Sequence, residues 1–287
     1  PASGPERAAG VVVFLGPTFP HSAASLLLRA HYLPPAGCGD IIRALRLRPR
    51  VLALVDGVFE HRPAVWHKEI LFALQEGVSV FGASSMGALR ASELHNFGMV
   101  GVGKIFEGYR DGLITDDDEV ALAHGDDTED FRPLSDPMVN IRATLAEALR
   151  RKLIDTMTAV EVTSIAKATF YPERSLKGAI LEAERRGIDR ELLHSLKIFI
   201  AREGLVDQKR LDAVQLLKHL CPESDHSSEN QQNQKSHQRE RVQPTIFLSS
   251  LRQRIQCEPF HHSTLGLPED ERLAAQSSQL PWYPLIS

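Results

Sequence analysis

A short apolar run passes directly into a helix pattern in the stretch Val80-Phe81-Gly82-Ala83-Ser84-Ser85-Met86-Gly87-Ala88-Leu89-Arg90. The run has no polar alternation, which is typical of a strand covered on both faces of a parallel sheet. Small residues and two serines follow it, and either serine can begin a helix that continues to about Leu94. Two more runs, Val11–Leu15 and Val51–Val55, are continuously apolar and end at turn residues. These two runs and Val78–Phe81, the run that precedes the two serines, are predicted to be strands.

Helix patterns separate these strands. One covers Asp40–Leu47, and another covers Ala64–Gln75 after Pro63. Alternation of strands and helices at this spacing is typical of a doubly wound sheet. We therefore predict an α/β fold for residues 1–150, with a mostly parallel sheet and helices on both of its faces.

The second half of the chain changes character. Helix patterns dominate it, in Asp136–Leu153, Val160–Phe170, Leu176–Arg186, Glu191–Glu203 and Gln208–Leu220. We expect residues 151–221 to form a helical subdomain. From Pro222 the chain is rich in Ser, Gln, Asn and His, which bury too little apolar surface to offset the entropy of ordering. A disordered tail over 222–287 is expected, with one short helix at Thr245–Leu251.

Composition excludes several classes of protein. The 287 residues carry a net charge of -4, which argues against a general nucleic-acid binder. No apolar run reaches the roughly 18–20 residues needed to cross a bilayer, and Pro1–Gly10 lacks a signal-peptide pattern. The three cysteines are few and far apart, so neither a disulfide framework nor a cysteine zinc cluster is expected. We expect a cytoplasmic protein that binds neither membranes nor nucleic acid.

Ser85 is the first candidate for chemistry. Ala83-x-Ser85-x-Gly87 differs by one residue from the G-x-S-x-G elbow, which presents a nucleophilic serine on a sharp turn. Free N–H groups at the start of the following helix, including that of Met86, suit a developing negative charge. Two other interpretations stay open: the serines only cap the helix, or the turn binds a phosphate or carboxylate without reacting.

Three more residues are candidates for the acid and base roles. Asp56 follows a strand, and ligands of doubly wound sheets bind beyond the carboxyl ends of the strands, although an Asx turn explains it equally. His67 and Glu69 are ionisable residues at the start of a helix. Residues around the serine and one further strand-end histidine are predicted to bind substrate: Gly82, Ser84, Met86, Gly87, Arg90, Glu93 and His124.

Asp116-Asp117-Asp118-Glu119 places four carboxylates in succession. They repel one another unless water, a cation or a basic partner compensates their charge. The spacing does not match a calcium-binding loop. A solvated acidic loop is the simplest interpretation, and we predict no metal.

Several ordered motifs together resemble the TfuA-like core domain. They are Asp56-Gly57-Val58-Phe59, Ala64–Ile70, Phe81–Ala91 and the stretch from Phe97-Gly98-Met99 to Val120, within a resemblance that covers about Val11–Arg150. TfuA-like proteins are partners of YcaO enzymes, which modify ribosomally synthesised peptides and in particular replace a backbone carbonyl oxygen by sulfur.

The resemblance implies an accessory role in thioamidation, with a YcaO enzyme, a precursor peptide and a ubiquitin-like sulfur carrier as partners and no cofactor. It implies hydrolysis of the carrier's thiocarboxylated C-terminus to supply sulfide, an acyl transfer that needs a nucleophile, an oxyanion donor and a base. Asp56 and His67 precede Ser85, so the Ser…Asp…His order of α/β-hydrolases is absent. The alternative is a non-catalytic recruiter of the YcaO enzyme and the peptide. A nucleotide-binding protein is a weaker interpretation, because the Gly82–Gly87 turn has no lysine.

Overall fold

Five parallel strands form the centre of the protein. A computed structural model describes residues 10–59, 62–221, 248–250 and 252–253. The strands run in the order β2-β1-β3-β4-β5, with bounds β1 Val11–Phe14, β2 His31–Leu33, β3 Val51–Leu54, β4 Ser79–Ala83 and β5 Val100–Val102. Phe14 pairs with Leu54 and Leu54 with Gly82, so the carboxyl ends of β1, β3 and β4 lie side by side. The predicted parallel α/β sheet is confirmed.

Helices cover both faces of this sheet, as predicted. The helices that alternate with the strands are α1 His21–Ala24, α2 Asp40–Ala44, α3 His67–Gln75, α4 Met86–Leu94 and α5 Lys104–Arg110. On one face, Val12, Phe14 and Leu52 share a buried core with α2 to α5. On the other face, Val13 and Ala53 share a second core with α1 and with a helix from the second half of the chain.

The helical half contains α6 Met138–Arg150, α7 Thr156–Ala168, α8 Leu176–Arg185, α9 Arg190–Glu203 and α10 Gln208–His219. Side-chain caps start four of them: Asp155, Ser175, Asp189 and Asp207 each accept a hydrogen bond from the first turn. Helices α6 to α9 share their own apolar core. Helix α10 instead packs on the second face of the sheet. The division at residue 150 stays a prediction, and α10 joins the two halves across it.

Most of the predicted tail lies outside the described residues, so its disorder stays a prediction. Within it, 248–250 and 252–253 are helical, inside or next to the predicted helix Thr245–Leu251. Leu248 is buried, and the Arg252 guanidinium lies over the Phe72 ring of α3, 4.1 Å from its centroid. Among the helices that the structure describes, none combines the length and the apolar character required to traverse a bilayer.

Candidate functional site

Asp56, at the end of β3, accepts hydrogen bonds from the loop that follows β1. Its Oδ2 accepts hydrogen bonds from the backbone N–H groups of Gly16 (2.9 Å) and Thr18 (3.0 Å). Its Oδ1 accepts the Thr18 hydroxyl at 2.6 Å. The carboxylate is almost fully buried, and charge-assisted bonds of this kind are strong. The side chain that sequence reasoning placed at the strand ends therefore organises two of those ends.

The two serines after β4 form a strained turn. Ser84 has a φ of 67°, unusual for a residue with a side chain, and the Ser85 N–H donates to the Ala83 carbonyl at 2.9 Å. A three-residue turn of this kind with a positive φ at its centre is rare. The Ser84 hydroxyl is buried and shares a 3.3 Å hydrogen bond with that of Thr18. Such strain is common at functional sites and rare elsewhere.

Ser85 occupies the N-cap position of α4, yet its side chain makes no capping hydrogen bond. The simple cap interpretation therefore does not describe the Ser85 hydroxyl. The backbone N–H of Met86 also meets no acceptor within the part of the chain that the structure describes. A hydroxyl and a free N–H at the positive end of a helix can together hold an anion.

Two glycines bring this helix start against the strands. A Cβ atom on Gly87 would lie 1.8 Å from the Leu54 carbonyl oxygen, and one on Gly82 would lie 2.1 Å from the Gly87 oxygen. The Gly87 N–H donates to the Val55 carbonyl at 3.1 Å. Both glycines, predicted to bind substrate, are buried and allow the close approach that aims the Ser85 turn.

A cavity of about 290 Å³ lies beyond these strand ends. Its wall brings together Asp56, Ser85, Met86 and His124, four of the residues selected from the sequence. Apolar and aromatic side chains complete much of the wall, among them Phe59, Leu89, Val120 and Tyr171. The His124 Nδ1 lies 2.7 Å from the Gly125 carbonyl oxygen, which can only accept, so Nδ1 is the donor of this contact.

Lys209, from α10, is a wall residue that sequence reasoning missed. It is 2% exposed, and its Nζ donates to the Val120 carbonyl at 2.9 Å. Burial lowers the pKa of its ammonium, although the charges of Asp56 and Asp207 act to raise it. The sequence did contain a sign that Lys209 is buried. Lys209 and Asp212 lie on the same helix face as the apolar residues Ala213 and Leu216, at spacings of three and four residues.

Comparison with protein families identifies the region that carries most of this wall. Residues 56–175 match the family model described as TfuA-like protein. This part of the chain is a TfuA-like domain. The resemblance found in the sequence is confirmed, although the match starts at Asp56 rather than near Val11 and extends beyond Arg150 to Ser175. No curated protein matches the chain. A TfuA-like domain fits an accessory role beside a YcaO enzyme.

Three predicted residues of the TfuA-like domain lie together, but apart from the cavity wall. The His67 Nε2 lies 2.8 Å from Glu93 Oε2, and the Arg90 guanidinium donates to the same oxygen at 2.8 Å. Burial acts to raise the pKa of Glu93, but the hydrogen bonds from His67 and Arg90 hold it below its ordinary value. His67 is 46% exposed. The cluster is an ion-pair group on the outer side of α3 and α4.

Glu69 lies in a different buried group. Its two carboxylate oxygens each accept the Gly39 N–H at 2.9 Å, and burial raises its pKa to about 7. Burial also raises the pKa of the neighbouring Cys38 thiol, to about 12. Glu69 thus ties α3 to the loop before α2. The structure places it in this group and not on the wall that holds Ser85.

The acidic run of the TfuA-like domain is compensated from within the chain. Lys167 contacts Asp116 at 3.0 Å and Glu119 at 3.1 Å, and it also contacts Asp118. Two arginines complete the group: Arg174 bonds Asp118 at 2.6 Å, and Arg142 forms a two-bond pair with Glu119. These carboxylates could otherwise face a metal ion, but a lysine ammonium occupies their centre.

Proposed function

We propose that this protein supplies sulfide to a YcaO enzyme during peptide backbone thioamidation. Its substrate in this proposal is the thiocarboxylated C-terminus of a ubiquitin-like sulfur carrier, which it hydrolyses. The TfuA-like domain supports the association with a YcaO enzyme and its precursor peptide. Among the described residues, Cys38 and Cys221 form no disulfide, which suits the reducing, cytoplasmic setting that we propose for this chemistry.

The observation that carries the proposal is the Ser85 hydroxyl. It stands on a strained turn at the start of α4, makes no capping bond and lines a cavity. A serine nucleophile requires a sharp turn, access to substrate and a nearby donor for the oxyanion. The Met86 N–H is that donor in our proposal.

The reaction has two steps. Ser85 Oγ attacks the carbonyl carbon of the thiocarboxylate, the C–S bond breaks, and sulfur leaves as HS⁻ with the proton of the serine. Water then attacks the acyl-serine ester, which restores the hydroxyl and releases the carboxylate and one proton. In this scheme His124 Nε2 accepts the proton from this water, because Nδ1 is engaged by the Gly125 carbonyl and His124 belongs to the same wall as Ser85.

Asp56 has a positioning role in this scheme. Both of its oxygens already accept hydrogen bonds from the loop after β1, so it holds the serine turn through Thr18. His67 and Glu69 have no role in this reaction scheme, because neither contributes to the wall that holds Ser85.

Sulfide release from a purified thiocarboxylated carrier tests the proposal. Ser85→Ala should lower the rate by at least about 10³-fold, with unchanged thermal unfolding. The matched control is Ser92→Ala, because Ser92 lies on the same helix and its hydroxyl donates to the Leu89 carbonyl, its one hydrogen-bond partner in the part of the chain that the structure describes. Release by the Ser85→Ala protein at the rate of the wild type would refute a serine nucleophile.

A second candidate function is recruitment without catalysis. Helices α6 and α7 border an open groove, and Met157 (68% exposed) and Val160 (56% exposed) present apolar surface beside it. Exposed apolar surface of this kind favours binding of another protein. Val160→Asp should then weaken binding of the YcaO enzyme in calorimetry, whereas Ser85→Ala should leave that binding unchanged.

A further inference from the structure

Lys209 has more hydrogen-bonding capacity than its surroundings use. An ammonium group carries three N–H donors. One of them is satisfied by the Val120 carbonyl, and the described residues offer the Lys209 Nζ no second acceptor. The side chain is 2% exposed and borders the cavity that also contains Ser85. Burial lowers the pKa of this group and so disfavours its charged form, whereas an anion that approached the unused donors would favour that form.

The carboxylates near Lys209 do not fill this need. Asp56 directs both oxygens to Gly16 and Thr18, and Asp207 accepts from Asn140 and from the first turn of α10. Asp117 also borders the cavity, but it is exposed, so water screens its charge. Among the described residues, no carboxylate thus makes a hydrogen bond to the Lys209 Nζ, and its unused donors remain available to a ligand in the cavity.

We infer that Lys209 is the anion-binding group of this cavity and that its ligand is the carboxylate or thiocarboxylate end of a peptide chain. The inference rests on the proposed function for the choice of thiocarboxylate. The Met86 N–H and the Ser85 hydroxyl lie on the same wall and can contact the other side of the anion. The apolar wall, with Phe59, Leu89 and Tyr171, suits the chain that leads to this end.

The size of the cavity agrees with such a ligand. A volume of about 290 Å³ is at the lower end for small-molecule sites, which accommodates a chain end and excludes a folded domain. Inorganic phosphate would satisfy the same donors but would leave the apolar wall uncovered. The binding experiment therefore includes phosphate.

Calorimetry with the sulfur carrier measures this site without catalysis. The probes are the hydrolysed carrier, which ends in a carboxylate, the same carrier with a C-terminal amide, and inorganic phosphate. We expect the wild type to bind the carboxylate form, with the amide at least tenfold weaker. Lys209→Met should weaken carboxylate binding by about ten- to a hundredfold. The control Lys177→Met, on the exposed side of α8, should bind as the wild type does.

A second measurement requires no substitution. In wild-type protein with ¹³C-labelled lysine, the Cε resonance of Lys209 should shift on addition of the carboxylate carrier and stay unchanged with the amide. No shift, or phosphate binding tighter than carboxylate binding, would overturn the inference.

The two hypotheses fail in different ways. Lys209-dependent carboxylate binding without sulfide release would support the anion site and reject the hydrolase. Normal sulfide release by Lys209→Met, with unchanged KM, would support the hydrolase and reject Lys209 as the binding group.

Discussion

Replacement of Asp56 separates a structural role from a catalytic one. Asp56→Ala leaves two buried donors without an acceptor, the N–H groups of Gly16 and Thr18, whereas the Thr18 hydroxyl can still donate to the Ser84 hydroxyl at 3.3 Å. An unsatisfied buried donor costs about 1–2 kcal/mol at the lower end of measured values. The summed loss is then about 2–4 kcal/mol, a large share of the roughly 5–15 kcal/mol that stabilises most domains.

Asp56→Asn should be milder. The amide oxygen can still accept both N–H groups, and the Thr18 hydroxyl can rotate to accept from the amide nitrogen. Only the charge assistance is lost, so we expect a decrease of about 1–2 kcal/mol. If Asp56 only positions the turn, this variant keeps much of the sulfide release of the wild type. If Asp56 is the base, the rate should fall by about 10²–10⁴-fold.

Urea unfolding gives the free energies of unfolding by linear extrapolation. Asp117→Ala is the control, because this exposed carboxylate belongs to the same cavity wall; its free energy should change by less than about 0.5 kcal/mol. An Asp56→Ala protein within about 1 kcal/mol of the wild type would refute the reasoning. In that case, water in the cavity would satisfy the donors, and the carboxylate would be available as a base.

Three further predictions concern the surrounding framework. Glu69 has an ordinary pKa of 4.5 and a folded-state pKa of about 7. It therefore contributes stability that is present below pH 4.5 and is lost as the pH rises through 7. Glu69→Gln should remove about 3 kcal/mol of this pH dependence of the free energy of unfolding, measured by urea unfolding. Lys167→Met should destabilise the protein by about 1–3 kcal/mol at pH 7 and by less at about pH 2, as thermal unfolding at both pH values would show. Lys167 helps to hold the pKa of Asp118 and of Glu119 below its ordinary value, and this stabilisation is lost as the pH falls through the lowered pKa. Gly87→Ala should reduce stability by more than about 3 kcal/mol and abolish sulfide release, because its Cβ meets the Leu54 backbone.

Much of the fold could be predicted because the central strands are continuous apolar runs. The predicted strands Val11–Leu15, Val51–Val55 and Val78–Phe81 agree with the structure to within two residues at each end. The strands that the sequence did not indicate, His31–Leu33 and Val100–Val102, have three residues each. A run so short carries no periodic pattern, and tertiary pairing with β1 and β4 decides that these segments are strands.

The site was predictable where it depends on the sheet and not where it depends on loops or distant helices. Asp56 and Ser85 were found because residues after neighbouring parallel strands meet at one edge. Glu69 was predicted to act with them, but its direction depends on the loop around Gly39, which has a φ of 90°. Loop geometry of that kind has no pattern in the sequence.

Helix α10 lies outside the TfuA-like domain but contributes to both its sheet packing and its cavity wall. The buried stripe of α10, Ala213, Leu216 and Leu217, covers a sheet face that the domain's own helices leave open. The same stripe carries Asp212, which accepts the Ile105 N–H at 2.8 Å at the start of α5, and Lys209, which reaches the cavity. Lys209 and Asp212 lie on one helix, so the position of Lys209 in the cavity wall is coupled to the contact that Asp212 makes with α5. The charge that we assign to anion binding is therefore coupled to the packing of the sheet, and both depend on a helix outside the family match.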